Sequence, residues 1–132
     1  MPAFLDTNVL IYAFADEAKT ERAWDIVQPG TVVNVQVLNE FIHVMRRKSK
    51  ADWSMIEEAI ADILAICAPP RDLTYAIHQD AARLAAAHHL PIYDATIIAA
   101  AIEAGCDMLW SEDLQDGRCF GGLTVRNPFA AE

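Results

Sequence analysis

An α/β fold, with a mainly parallel central sheet flanked by helices on both faces, is predicted from three observations. Short apolar or β-branched runs bounded by turn residues alternate with longer stretches of helical periodicity. Hydrophobic residues make up 54% and charged residues 22% of the chain, which supports a buried core and argues against disorder. No run reaches 18 consecutive apolar residues, so that hydrophobicity serves a core and no membrane span. At 132 residues, a single domain over positions 1–132 is the expectation.

The elements follow in order. Ala3-Phe4-Leu5 is an apolar run stopped by Asp6-Thr7-Asn8, which reads as a buried strand ending at a helix start. Residues 9–14 and 20–27 form two short helices, the second closed by Gln28-Pro29-Gly30. Residues 31–35 are β-branched and turn-bounded, hence a second strand. From 36 to about 48, Val37, Leu38, Phe41, Ile42, Val44 and Met45 recur at helical spacing. Asp52 is a candidate N-cap for a helix reaching about residue 66, and residues 65–68 are a third short strand before Pro69-Pro70. Ala-rich helices span 74–88 and 94–104, the latter ended by Gly105 as a C-cap. Strands at 107–111 and 123–125 complete the chain.

Ten Lys and Arg stand against 19 Asp and Glu, a net charge of −9. Such a chain is no passive nucleic-acid-coating module, which needs a basic footprint. A polyanion approaches it only if cations neutralise part of its carboxylate set. Cys67, Cys106 and Cys119 are odd in number and lack CxxC spacing, so reduced thiols are expected and neither a disulfide framework nor a zinc site. The first residues have no positive n-region and carry an acid at position 6, unlike a signal peptide, and a cytoplasmic location follows as the expectation.

In an open parallel sheet, sites form beyond the carboxyl ends of the strands. Asp6 directly follows the first strand, and Asp113 follows the strand at 107–111. Glu40 lies about one turn into the helix after the second strand, and Asp94 opens a later helix. Each also has an ordinary reading. Asp6 and Asp94 suit helix N-caps, Glu40 an exposed helix position, and Asp113, with Glu112 and Asp116, a polar turn. Their shared edge is what sets them apart. Converging carboxylates repel one another unless a cation sits between them, and hard divalent ions such as Mg²⁺ or Mn²⁺ prefer oxygen ligands. Carboxylate-held metals suit phosphodiester hydrolysis, because the ion activates water and steadies charge on the phosphate.

Other features are less specific. Arg46-Arg47-Lys48-Ser49-Lys50 is the one basic cluster, and either tracks a phosphate backbone or simply complements a helix C-terminus. Trp53 and Met55 suit core or partner contacts better than base stacking. His43, His78, His88 and His89 read as ordinary helix or helix-end residues.

The run Phe4-Leu5-Asp6-Thr7-Asn8-Val9-Leu10-Ile11-Tyr12 resembles the first acidic motif of PIN-domain proteins, specifically the VapC-type toxins of toxin–antitoxin pairs. Leu38-Asn39-Glu40-Phe41 is similar to the second motif and Tyr93-Asp94-Ala95 to the third. Gly105-Cys106-Asp107 leading into Ser111-Glu112-Asp113-Leu114 is similar to the fourth, and Asn127-Pro128-Phe129 to the family's tail. The resemblance covers essentially the whole chain. It implies a PIN-like fold and a Mg²⁺- or Mn²⁺-dependent endoribonuclease, silenced by a cognate VapB-like antitoxin and assembled as a homodimer. Asp6, Glu40, Asp94 and Asp113 match the acidic quartet, with Asp6 and Asp94 foremost as metal ligands. Thr7, Asn8 and Ser111 match supporting polar positions. The last motif is the loosest, and Glu112 or Asp116 competes for the role of Asp113. Arg46, Arg47 and Lys48 are the candidate RNA contacts.

Other classes fit less well. A phosphoacceptor receiver domain wants a lysine near a late strand, and Lys19, Lys48 and Lys50 all come early. An aspartyl phosphatase commonly needs a second acid two residues after the first, where Asn8 stands. A catalytically silent PIN-like scaffold that only binds a partner is the remaining alternative.

Overall fold

The computed structural model describes residues 2–15 and 17–130. Strand β1 (Ala3–Leu5) is followed by helices α1 (Thr7–Phe14), α2 (Thr20–Ile26), α3 (Val35–Arg47), α4 (Trp53–Ile66), α5 (Tyr75–His88) and α6 (Ile92–Glu103). Strands β2 (Met108–Trp110), β3 (Cys119–Phe120) and β4 (Leu123–Arg126) close the chain. The sheet order is β1-β2-β4-β3, with β1, β2 and β4 parallel and β3 antiparallel to β4. Phe4 and Leu5 point to opposite faces of the sheet, yet both are fully buried, so helices cover both faces. The α/β expectation therefore holds, and no helix among the described residues is long and apolar enough to cross a membrane.

Three strand assignments need correction. Residues 31–35 do not form a regular strand. Val32 bridges Phe4 in parallel, with hydrogen bonds from Leu5 N to Val32 O (2.9 Å) and from Val32 N to Ala3 O (2.8 Å). Asn34 then turns the chain into α3 by capping it, its side chain accepting from Val37 N. The β-branched run is thus cut short by a helix cap. Residues 65–68 are not a strand either, because α4 keeps 65 and 66 in its last turn. The pairing occurs slightly later, where Ala68 N donates to Thr31 O and Arg71 N to Val33 O. The short β3 hairpin strand went unforeseen; the turn before β4 uses Gly121 at φ +61°.

The helices follow the expected pattern more closely. Asp52 caps α4 by accepting from Met55 N at 2.9 Å, and Thr74 caps α5 by accepting from Ile77 N at 3.2 Å. Helix α6 starts two residues earlier than expected, after Pro91, so Asp94 is a first-turn residue and not the N-cap. Its residues Ala95, Thr96, Ile97, Ile98, Ala99, Ala100 and Ala101 are all buried, the small side chains allowing close approach of β2 and α5. Gly105 ends it at φ +76°, with Gly105 N bonded to Ile102 O and Cys106 N to Ala101 O.

Candidate active site

The parallel register determines where the acids meet. Leu5 lies opposite Trp110, so the residues just beyond β1 and β2 emerge side by side at the carboxyl edge. Asp6 N donates to Trp110 O at 3.0 Å, which brings Asp6 against Ser111. The bridge of residue 32 to β1 sets the start of α3 beside them, and Glu40 falls in its second turn. Asp6, Glu40, Asp94 and Asp113 all line one cavity of about 170 Å³. Four elements far apart in sequence thus place a carboxylate at a single opening.

Three of the four acids are held by hydrogen bonds from neighbouring residues. Ser111 Oγ donates to Asp6 Oδ2 at 2.7 Å, and Thr7 N donates to Asp6 Oδ1 at 2.7 Å. Asp6 therefore caps α1 and faces the cavity together, so its two readings are not exclusive. Thr7 Oγ1 donates to Glu40 Oε2 at 2.7 Å, while Gln36 Nε2 supports Oε1 at 3.0 Å. Asn8 Nδ2 donates to both oxygens of Asp113, at 3.1 and 3.0 Å. No hydrogen bond engages the Asp94 side chain among the described residues, which leaves both of its oxygens available.

The electrostatics follow from burial and crowding. Burial pushes the Asp6 carboxyl up from 3.8 to about 6, with smaller upward pushes from the charges of Asp113 and Glu40, against the lowering effect of Ser111 and Thr7. Asp94 is raised by burial, then by the charges of Asp113 and Glu40. Asp113 is raised by burial, then by Glu112 and Glu40, while the Asn8 hydrogen bond and the Lys48 charge oppose the rise.

The alternatives for the fourth acid lie elsewhere. Glu112 accepts from Tyr12 Oη at 2.9 Å and pairs with Lys19, and Asp116 accepts from Asn127 N at 2.9 Å. Neither lines the cavity. Arg46, Arg47 and Lys48 are exposed and do not line it either. Arg46 is tied to the turn after α3, donating to Ala51 O at 3.1 Å with its guanidinium 4.9 Å from the Trp53 ring centre. Two ring-bearing residues of the lining, His43 and Tyr93, went unrecognised as site residues. The signal was available: His43 and Val44 stand three and four positions after Glu40, on its face of α3. Tyr93 directly precedes Asp94 and Ile97 follows it by three.

The donor set fits a hard divalent cation. Four carboxylates face the cavity, and no Lys or Arg is among the described residues lining it. Burial disfavours the charge of Asp6, Asp94 and Asp113, so a cation bound among the acids relieves both desolvation and repulsion. Among the described residues no three His, Cys, Asp or Glu side chains already stand close enough to hold an ion together. The acids ring the cavity without closing on a common point.

Comparison with known proteins agrees with this architecture. The PIN domain family model matches residues 3–115. Mycobacterium tuberculosis VapC20, described as a sarcin-ricin-loop-cleaving toxin, superposes with a TM-score of 0.67 at 20% identity, covering 84% of this chain and 91% of that one. A toxin–antitoxin complex from Klebsiella pneumoniae gives 0.73 at 21% identity, with 98% and 99% covered. VapBC2 from Rickettsia felis, solved bound to a DNA fragment from its promoter, gives 0.69 at 15% identity, with 96% and 98% covered. No curated protein matches the sequence. At these identities the solved structures speak for the fold, while the family match spans most of the sequence: the chain belongs to the PIN domain family.

Proposed function

We propose that this protein is a Mg²⁺- or Mn²⁺-dependent endoribonuclease, acting in the cytoplasm as the toxin of a toxin–antitoxin pair. The observation that carries the reading is the single cavity lined by Asp6, Glu40, Asp94 and Asp113 without a Lys or Arg among its described lining residues. The structural likeness to toxins, two of them in toxin–antitoxin assemblies, supports a VapB-like antitoxin as partner. A homodimer follows from the same family likeness.

The residues divide the work. Asp6 and Asp94 are the principal metal ligands, with Glu40 and Asp113 binding directly or through water. A divalent ion held there supplies Lewis acidity, lowering the pKa of water and offsetting charge on the phosphate and leaving oxygen. Ser111 and the Thr7 amide fix both oxygens of Asp6, so its carboxylate keeps one orientation when the cavity fills. Thr7 with Gln36 does the same for Glu40, and Asn8 for Asp113. Asp94, whose two oxygens are free of such bonds among the described residues, can offer one to the ion and leave the other to accept the proton of the attacking water. In-line attack by water, and not by the 2′-hydroxyl, gives a 5′-phosphate product.

The metal half of this reading is tested by titrating Mn²⁺ into the protein by calorimetry. Saturable binding by wild-type protein, weakened strongly in Asp94→Asn, is the expected result. Equal binding by wild-type and Asp94→Asn protein, or none by either, overturns it. A folded, metal-free protein that still binds antitoxin would then favour the silent scaffold.

A further inference from the structure

The segment after β2 carries three consecutive polar side chains, and each is tied to a different place. Ser111 holds Asp6, and Asp113 is held by Asn8. Glu112, between them, points away from the cavity and accepts from Tyr12 Oη at 2.9 Å and from Lys19 Nζ. Lys19 is itself confined. Its ammonium lies 4.6 Å from the centre of the Tyr12 ring and 5.1 Å from that of Phe129. Tyr12 and Phe129 meet edge to face at 5.0 Å, and Arg22 Nε donates to Pro128 O at 2.9 Å, pinning the tail that brings Phe129 there.

This arrangement solves a problem of the local sequence. Glu112 and Asp113 are adjacent carboxylates on a stretch with no regular secondary structure. Backbone support is thin: Ser111 N bonds Arg126 O at 2.9 Å, and Asp113 N bonds Ser111 Oγ at 3.3 Å. With so little ladder bonding, side chains decide which carboxylate turns toward the cavity. Crowding with Glu40 and Asp6 disfavours a further negative charge there, so a segment free to rotate would withdraw Asp113. Pairing Glu112 with Lys19 on the far side turns its charge away from the cavity, lessens its repulsion of Asp113 without abolishing it, and ties the segment in one rotation.

We propose that Lys19, with Tyr12, is a positioning clamp on Glu112 that selects Asp113 as the cavity-facing acid and thereby sets the metal affinity of the site. The inference rests on the metal-binding reading given above. Lys19 touches neither the cavity nor substrate; it acts through the 111–113 segment. Phe129 and the Arg22–Pro128 contact tie the same clamp to the segment after β4, so residues 128 and 129 become part of the site's support.

The test compares Lys19→Met, Lys19→Arg and Glu112→Gln with wild-type protein, using two readouts. The first is amide hydrogen exchange at Asn8 and at residues 111–114 without metal. The second is the Mn²⁺ dissociation constant by calorimetry. Lys19→Met is expected to speed exchange across 111–114 and weaken Mn²⁺ binding about tenfold, as loss of an outer support of a metal ligand does. Lys19→Arg, which keeps the ion pair and the ring contact, restores both, and Glu112→Gln falls between. Unchanged exchange, with Mn²⁺ affinity within about twofold of wild type, overturns the clamp and leaves the metal site standing. Absence of Mn²⁺ binding by wild-type protein overturns the metal reading itself, whatever the exchange shows.

Discussion

At the level of single residues, Asp6 is asked to do two opposed things. It is only 7% exposed and hydrogen-bonded in place, yet the proposed function requires it to carry charge and hold a cation. Its carboxyl titrates near 6 in the fold against 3.8 ordinarily, so the folded protein holds its proton to higher pH than the unfolded chain. Metal-free stability from this group is therefore greatest below about pH 4, falls as pH rises toward 6, and is lost above it. At about 1.4 kcal/mol per tenfold change, the full difference is about 3 kcal/mol. Asp6→Asn removes that cost, since its amide can accept from Thr7 N and donate to Ser111 Oγ. Urea unfolding in EDTA at pH 7.5 should show the variant more stable by about 1–3 kcal/mol, with the gap closing near pH 4. Added Mn²⁺ should raise the wild-type melting temperature and leave the variant's unchanged. Asn8→Ala and Ser111→Ala, which strip the supports from Asp113 and Asp6, should each weaken Mn²⁺ binding by about 10–100-fold without unfolding the protein. His43 and Tyr93 show where residue-level reading of the sequence falls short. Nothing in their chemistry marks them, and only their placement beside Glu40 and Asp94 does.

At the level of elements, the helices were legible because their signals are local. Asp52, Thr74 and Gly105 act within one turn of the ends they mark. Gly105→Ala tests this directly. No heavy atom outside its chain neighbours lies within 4 Å of the added Cβ, so the cost is that of φ +76° alone. Denaturant unfolding should show a loss of about 1 kcal/mol, with Mn²⁺ affinity unchanged because Asp94 sits at the other end of α6. Strands were less legible. A run such as 31–35 has β propensity throughout, but Asn34 caps a helix there and leaves only bridges. Ala68 and Arg71 pair with it on either side of Pro69-Pro70, which no periodicity announces. The basic end of α3 retains two readings that a measurement separates. If Arg47 and Lys48 meet RNA, the double change to Ala lowers the slope of log affinity against log salt by about one to two. An unchanged slope assigns them to the helix terminus.

At the level of the whole molecule, a chain of net charge −9 offers a polyanion few landing points. Four of its 19 acidic residues line the cavity, so the site contributes to that charge without accounting for most of it. A topological rule, that residues following parallel strands share an edge, made the meeting of Asp6 and Asp113 legible. Glu40 and Asp94 sit on α3 and α6, which follow no regular strand, and their place at that edge was legible only from the motifs they resemble. The sequence could not show that Glu112 turns toward Lys19 while Asp113 turns toward Asn8, because that depends on a contact across 93 residues. Nor did it show that Asp6 can cap α1 and line the cavity at once, as it does.

The most direct test is cleavage of a mixed cellular RNA pool by protein freed of any bound antitoxin. Reactions with Mg²⁺ or Mn²⁺ are compared with EDTA, and wild type with Asp6→Asn and Asp94→Asn. A metal-dependent centre built on these acids yields discrete fragments with 5′-phosphate ends, lost in EDTA and reduced at least about 10³-fold in either variant. Fragments that persist in both variants, or in EDTA, would contradict it.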